Sequence, residues 1–455
     1  MDETRKLADF SSELTLDRLP PQVLDKARLC ILDYLANVYG SLELEAVGRV
    51  VSYVRDQKGP EVATALGCGF KTGVNHAAFL NGVSAEAIEA QDGLRFGGNH
   101  PGTAVISAAM AVAEELGKGG REFLEAVVAG YEVANRIAAA VHPRHTLSGF
   151  LPTGTCGTFG AACAAAKLMG VDRAGMLNAL GNAGYLAPLS MAEQLMGGFT
   201  VKIVQAGQAA SAGITAAVLA RAGVTGSPHV LEGSLLKGGF TQITTGGEPV
   251  PARITDGLGE HFTILDVYLK PYTACRHTHG AAQATLALVK AESLSHGDVE
   301  AIDVFTYGIA AMAVGKGVSR GESFVSAQFS IPYVVACCLL DREMGPGQLL
   351  ESRLADEFLL EFSKKVTVRY DDELNRMYPD RTASRVEISV KGGRKLARQV
   401  EIPRGDPRDP MTWDDVSGKV RRFSAKRDPR RIDEAIRLAQ RIDSLSDIRE
   451  WTEII

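Results

Sequence analysis

The chain has little that would tie it to a membrane, a metal or a nucleic acid. Its seven cysteines, at positions 30, 68, 156, 163, 275, 337 and 338, form no C-x-x-C pair, which removes zinc ribbons and thioredoxin-type motifs. The odd count and irregular spacing do not make a disulfide framework, so reduced thiols and a cytoplasmic setting are expected. The opening M-D-E-T-R-K-L-A-D-F lacks the charged-then-apolar run of a secretory leader. No uninterrupted run of eighteen apolar residues occurs, so no membrane span is expected. Basic excess is also absent: the formal net charge is −5, whereas a nucleic-acid binder usually carries a surplus of lysine and arginine. A small anionic ligand remains open, because it needs only local positive charge.

What is present is alanine, glycine and helical spacing. At 455 residues the chain is too long for one ordinary core, and two domains are the natural reading. Pro20-Pro21 opens a helix with apolar residues at 23, 24, 31, 32 and 35, spaced for one face. Small-residue helices follow over 104–116, 123–141, 159–169 and 209–222, and such helices approach one another closely. Beyond about residue 262 the pattern changes. F-T-I-L-D-V-Y-L, V-E-A-I-D-V-F-T-Y and K-V-T-V-R-Y read as strands, and a hairpin is expected around Gly392-Gly393. Helices interleave at 280–292 and 327–341, and the C-terminal tail returns to helices expected to pack on the first domain. The fold class is therefore mainly α: a large all-helical domain over 1–266, completed by 405–455, plus a smaller α/β lid domain over 267–404.

Chemistry concentrates in three places. L-K-P-Y-T-A-C-R-H-T-H, residues 269–279, carries Lys270, Tyr272, Cys275, Arg276, His277 and His279. Four readings compete for it. His277 and His279, joined by Asp92 and His100, could ligate a metal, but two imidazoles are short of a zinc set. Cys275 beside Arg276 and His277 could be a nucleophile, although a lone cysteine is more often a small apolar filler. Lys270, Arg276 and His277 could bind an anion, and the bland alternative is a solvated basic turn. Q-D-G-L-R-F-G-G-N-H-P-G-T, residues 91–103, places Asp92, Arg95 and His100 between buried helices, where charge requires partners or Asp92 and His100 simply cap helices. F-T-V-K-I-V-Q-A-G-Q sets Lys202 before an alanine-rich helix, where a lone lysine would ordinarily reach for water.

Together these stretches resemble the MmgE/PrpD family. H-P-G-T-A-V-I-S-A-A-M-A-V-A-E, F-L-P-T-G-T-C-G-T-F-G-A-A-C-A-A-A-K-L-M-G, K-P-Y-T-A-C-R-H-T-H and A-Q-F-S-I-P-Y-V-V-A occur in the family's order over nearly the whole chain. The family includes 2-methylcitrate dehydratase, cis-aconitate decarboxylase and iminodisuccinate epimerase. The resemblance implies a homodimer working without metal or organic cofactor on a small carboxylate, with the active site between helical domain and lid. It places the 269–279 stretch where the lid meets that cleft. It assigns catalytic roles to Asp92, His100, Lys202, Lys270 and His277, and Arg276 falls in the same lid-junction motif; beside it, Arg95 and Tyr272 are expected to bind substrate, with Tyr272 a weaker proton-donor candidate that would otherwise pack. His100 and His277 are the expected acid–base pair, with Asp92 orienting His100 or acting as base. Two positions depart from the family's pattern. Leu151 stands where a histidine usually precedes P-T-G, and Gln91-Asp92 replaces an acidic doublet. The implied activity is a dehydratase-type lyase acting on a small hydroxy-di- or tricarboxylate. An isomerase or epimerase, a decarboxylase, and a silent binding protein of the same fold are the alternatives.

Overall fold

The architecture follows from close approach of small-residue helices. The computed structural model describes residues 2–234, 236 and 238–455. It is 59% helix and 9% strand, which makes it mainly α. Helix Val204–Arg221 lies at the centre of the helical part, packed against Val74–Ala87, Pro101–Leu116, Pro152–Leu168 and Arg173–Leu186. Glycine allows this: a Cβ on Gly207 would fall 2.2 Å from the Phe79 carbonyl oxygen, and one on Gly82 would fall 2.8 Å from Gly207 Cα. By length and composition Thr200–Arg221 could cross a membrane. Here 61% of that window is buried, packed against neighbouring helices as in a core helix.

The sheet-bearing part holds one four-stranded sheet in the order Val366–Tyr370, Val299–Thr306, Ser384–Val390, Lys395–Val400. The first two strands are parallel and the other pairings antiparallel. Gly392 and Gly393, at φ 88° and 83°, make the expected hairpin turn. Helices His279–Glu292 and Ile331–Leu340 pack on one another and on this sheet. The tail helix Trp413–Phe423 packs back on Pro21–Ser41. There Lys419 reaches Asp33 Oδ1 at 2.7 Å and the Ala90 carbonyl at 2.6 Å.

One strand reading fails. F-T-I-L-D-V-Y-L forms a 3₁₀ turn over Thr263–Asp266 and then a strand of only two residues, Val267–Tyr268. The buried Glu132 carboxylate accepts the Thr263 backbone N–H at 2.6 Å and its hydroxyl at 2.8 Å. This side-chain bonding captures the start of the segment in a turn. The short strand pairs with Gly93–Leu94, with Gly93 opposite Tyr268 and Leu94 opposite Val267. That ladder fastens the 91–103 loop to the 269–279 stretch.

Candidate active site

The site is assembled where the Val74–Ala87 helix ends. Two residues beyond that helix, Glu89 adopts φ 54°, a left-handed conformation that costs a non-glycine residue on the order of 1 kcal/mol. Its buried carboxylate is clasped by two ammonium groups. Lys270 Nζ donates to Glu89 Oε1 at 2.8 Å and to the Glu89 carbonyl at 3.1 Å. Lys202 Nζ bonds Glu89 Oε2 and also contacts Glu86 Oε1 at 2.9 Å. All four side chains are almost wholly desolvated. Burial works against the Glu89 charge, but Lys202, Lys270 and then His100 outweigh it and hold its carboxyl well below the usual range. Burial likewise opposes the Lys202 charge, and Glu86 and Glu89 overcome it and raise that ammonium above its ordinary value. Two carboxylates and two ammoniums thus compensate one another. Lys202 does not reach for water.

His100 borders this cluster, with Nε2 3.7 Å from Glu89 Oε1. Pro101 fixes it at the mouth of the Pro101–Leu116 helix, and its backbone N–H donates to Thr153 Oγ1 at 3.0 Å. Its Nδ1 lies 2.6 Å from the Asp92 carbonyl oxygen. A carbonyl only accepts, so Nδ1 carries the proton and Nε2 keeps its lone pair. Burial first, then the Lys270 charge, lowers the imidazole to about 4, so it is neutral at pH 7. Glycine is needed beside it: a Cβ on Gly93 would meet Tyr268 Oη at 2.4 Å and His100 Nδ1 at 3.0 Å.

The Asp92 carboxylate has partners other than the lysines. Its carboxylate accepts from Tyr131 Oη at 2.7 Å and from the Gly102 N–H at 3.2 Å, capping the helix that His100 precedes. Burial pushes this carboxyl up to about 7. Asp92 therefore orients His100 through its backbone carbonyl, and Glu89 is the carboxylate that meets the lysines.

On the other wall, His277 Nδ1 bonds the hydroxyl of buried Tyr307, whose ring stacks on Tyr378 at 4.7 Å. Burial, then Lys270 and Arg276, lowers His277 to about 4. His279 diverges from it: Nε2 bonds the Ala274 carbonyl at 3.0 Å, in the interior. The described residues contain no group of three or more histidine, cysteine, aspartate or glutamate side chains able to hold a metal. Burial pushes the Cys275 thiol up to about 12, which suits a filler rather than a nucleophile.

The three expected substrate-binding residues are engaged elsewhere. Arg276 donates to the Arg404 carbonyl at 2.8 Å and the Pro403 carbonyl at 2.7 Å, with its guanidinium 4.9 Å from the Tyr268 ring centre. It latches the chain after the last strand onto the 269–279 stretch. Arg95 donates to the carbonyls of Pro379, at 2.8 Å, and Asp380. Tyr272 packs against the His279 ring and the core. Leu151 is 9% exposed and begins the Pro152–Leu168 helix.

Sequence reasoning passed over Glu86, Glu89, Gln205 and Tyr307. Gln205, one turn after Lys202, donates to Glu86 Oε1 at 2.6 Å. The available signal was E-A-I-E-A, two glutamates three apart in an otherwise apolar stretch, which buried helix would not tolerate without cations.

This geometry, a buried carboxylate–lysine cluster beside a neutral imidazole between a helical core and a sheet-bearing part, agrees with the similarities of the whole chain. The MmgE/PrpD N-terminal domain matches residues 5–252 and the MmgE/PrpD C-terminal domain residues 272–444. The chain belongs to the MmgE/PrpD family, which includes enzymes. It is similar to the cis-aconitate decarboxylase of Aspergillus terreus, 27% identical over 99% of this chain and 95% of the relative. The cis-aconitate decarboxylases of Mus musculus and Homo sapiens are each 24% identical over 99% of this chain, covering 93% and 94% of their own lengths.

Proposed function

We propose that the protein is a cofactor-free lyase that removes a proton beside a carboxylate of a small hydroxy-di- or tricarboxylate and eliminates water. The observation that carries this reading is the His100 tautomer. Its Nδ1–H is tied to the Asp92 carbonyl, which leaves an unprotonated Nε2 beside the Glu89–Lys270 pair. That is a general base set at neutral pH. His100 Nε2 takes the carbon-bound proton, the electron pair forms the new C=C bond, and the hydroxyl leaves as water with a proton from Lys270. The proton on His100 then returns to the lysine. His277 Nδ1 is hydrogen-bonded to the Tyr307 hydroxyl; we assign the donor role to that hydroxyl, which makes His277 Nε2–H the donor to the developing negative charge. An imidazole lowered to about 4 is a poor imidazolium acid at neutral pH, so the leaving-group proton falls to the lysine.

Decarboxylation is the second reading, favoured by the names of the similar proteins. Product analysis by NMR over hydroxy- and unsaturated polycarboxylates separates the two. Elimination gives an alkene without CO₂, and decarboxylation gives CO₂ with a proton gained at carbon. Release of CO₂ from an unsaturated acid, with no dehydration of any hydroxy acid, contradicts the first reading.

We further propose that the chain works in the cytoplasm as a homodimer. Supporting the homodimer is an exposed apolar run of Tyr185, Leu189, Met191, Met196, Phe199 and Val201, leading directly into Lys202. Sedimentation at the 48.5 kDa of a single chain would contradict dimerisation.

A further inference from the structure

A third imidazole lies near these two, and neither the Asp92–His100 loop nor the 269–279 stretch contains it. His142 ends the Gly120–Val141 helix. Its backbone N–H reaches the Ala138 carbonyl at 3.0 Å, and the chain then leaves helical geometry into Pro143. A Cβ on Gly98 would lie 3.2 Å from His142 Nδ1 and 3.7 Å from Pro152 Cγ. The ring therefore sits between the glycine loop that leads into His100 and the start of the helix that follows Leu151. It is close enough to His277 to help hold that imidazole's protonation down. Burial, then Arg253, lowers His142 itself, so it too is neutral at pH 7.

Its hydrogen bonding sets it apart. The Nδ1 atoms of His142, His145 and His279 are all buried without a partner. His145 satisfies its other nitrogen on Thr155 Oγ1 at 2.8 Å, and His279 does so on the Ala274 carbonyl. His142 makes no ring hydrogen bond to any described residue, and a buried imidazole nitrogen left so costs roughly 1–3 kcal/mol. Gly98, without a side chain, leaves room beside that nitrogen.

We infer that His142 is a substrate-contacting residue, its imidazole N–H binding a substrate carboxylate remote from the reacting carbon, on the side where Leu151 offers only an apolar wall. The inference rests on the polycarboxylate reading above. A contact remote from the reacting carbon is made equally in ground state and transition state, so it governs KM and leaves kcat alone.

The test compares wild type, His142→Asn, His142→Gln and His100→Gln on whichever polycarboxylate wild type turns over, with thermal melting to confirm folding. Asparagine keeps a polar atom near the Nδ1 position and glutamine near the Nε2 position. The expected result is a KM raised about tenfold or more in at least one His142 variant, with kcat within about twofold of wild type. KM unchanged in both folded variants overturns the inference, as does a loss confined to kcat. If His100→Gln is inactive in the same experiment, the reading of the site stands while that of His142 falls. Should wild type turn over none of the acids, both fall together.

Discussion

Glu89 holds Lys270 at 2.8 Å from a backbone conformation that side-chain-bearing residues avoid. The left-handed turn sends the chain out of the Val74–Ala87 helix and leaves Glu89 between two lysines that lie 113 and 181 residues further on. Strain of this kind persists only where surrounding contacts over-determine it, and here the Lys419–Ala90 bond lies one residue beyond.

Glu89→Gln is predicted to lower stability by about 3–5 kcal/mol, because it leaves Lys270 buried without a carboxylate. Chemical denaturation measures this. The double variant Glu89→Gln/Lys270→Met removes both charges and should recover at least half of that loss while remaining inactive. Equal instability in single and double variants would contradict the charge-pairing account.

The pH dependence of activity should carry the mark of a buried imidazole. With His100 lowered to about 4, the acid limb of kcat/KM falls below about pH 5 rather than near 6.5. The same depression affects stability. His100 and His277 contribute stability that is present above pH 6.5 and lost as pH falls through about 4. Melting between pH 7 and pH 4 should show that decline.

Asp92 acts in the opposite direction. Its carboxyl is raised to about 7 in the folded chain, so the stability it contributes is complete below pH 3.8 and is lost as pH rises through about 7. Asp92→Asn should flatten this slope. Relative to wild type, it gains on the order of a few kcal/mol between pH 4 and pH 8, whatever constant offset its altered bonds to Tyr131 and Gly102 introduce. Parallel pH profiles for the two proteins would show that Asp92 is already ionised.

Packing reaches the site through Gly207. A methyl group there meets the Phe79 carbonyl at 2.2 Å and must push two helices apart, one of them directly following Lys202. Gly207→Ala should cost about 1–3 kcal/mol and lower activity with it. Full activity at reduced stability would show that Lys202 tolerates the shift.

The helices were legible from small-residue periodicity and Pro20-Pro21, although those expected from 104, 159 and 209 begin earlier, at Pro101, Pro152 and Val204; the sheet was legible from its β-branched and aromatic residues. Lys202, Lys270, His100 and His277 were legible as chemistry-bearing residues in apolar surroundings. Their partners were not. Glu86 and Glu89 resemble ordinary polar positions of a helix until the fold brings lysines from two distant segments against them. The two-residue ladder between Gly93–Leu94 and Val267–Tyr268 leaves no periodic trace. Arg95 and Arg276 show a related limit: a sequence shows that a guanidinium is present, but not that backbone carbonyls bond it.

The central claim is that His100 Nε2 removes a proton from carbon beside a carboxylate. Its most direct measurement is deuterium incorporation from D₂O into polycarboxylates that bind the protein, followed by NMR, with His100→Gln as comparison. Incorporation or alkene formation by wild type, reduced at least a hundredfold in the variant, is the predicted result. Equal rates in the two proteins, or no exchange into any acid that binds, would contradict it.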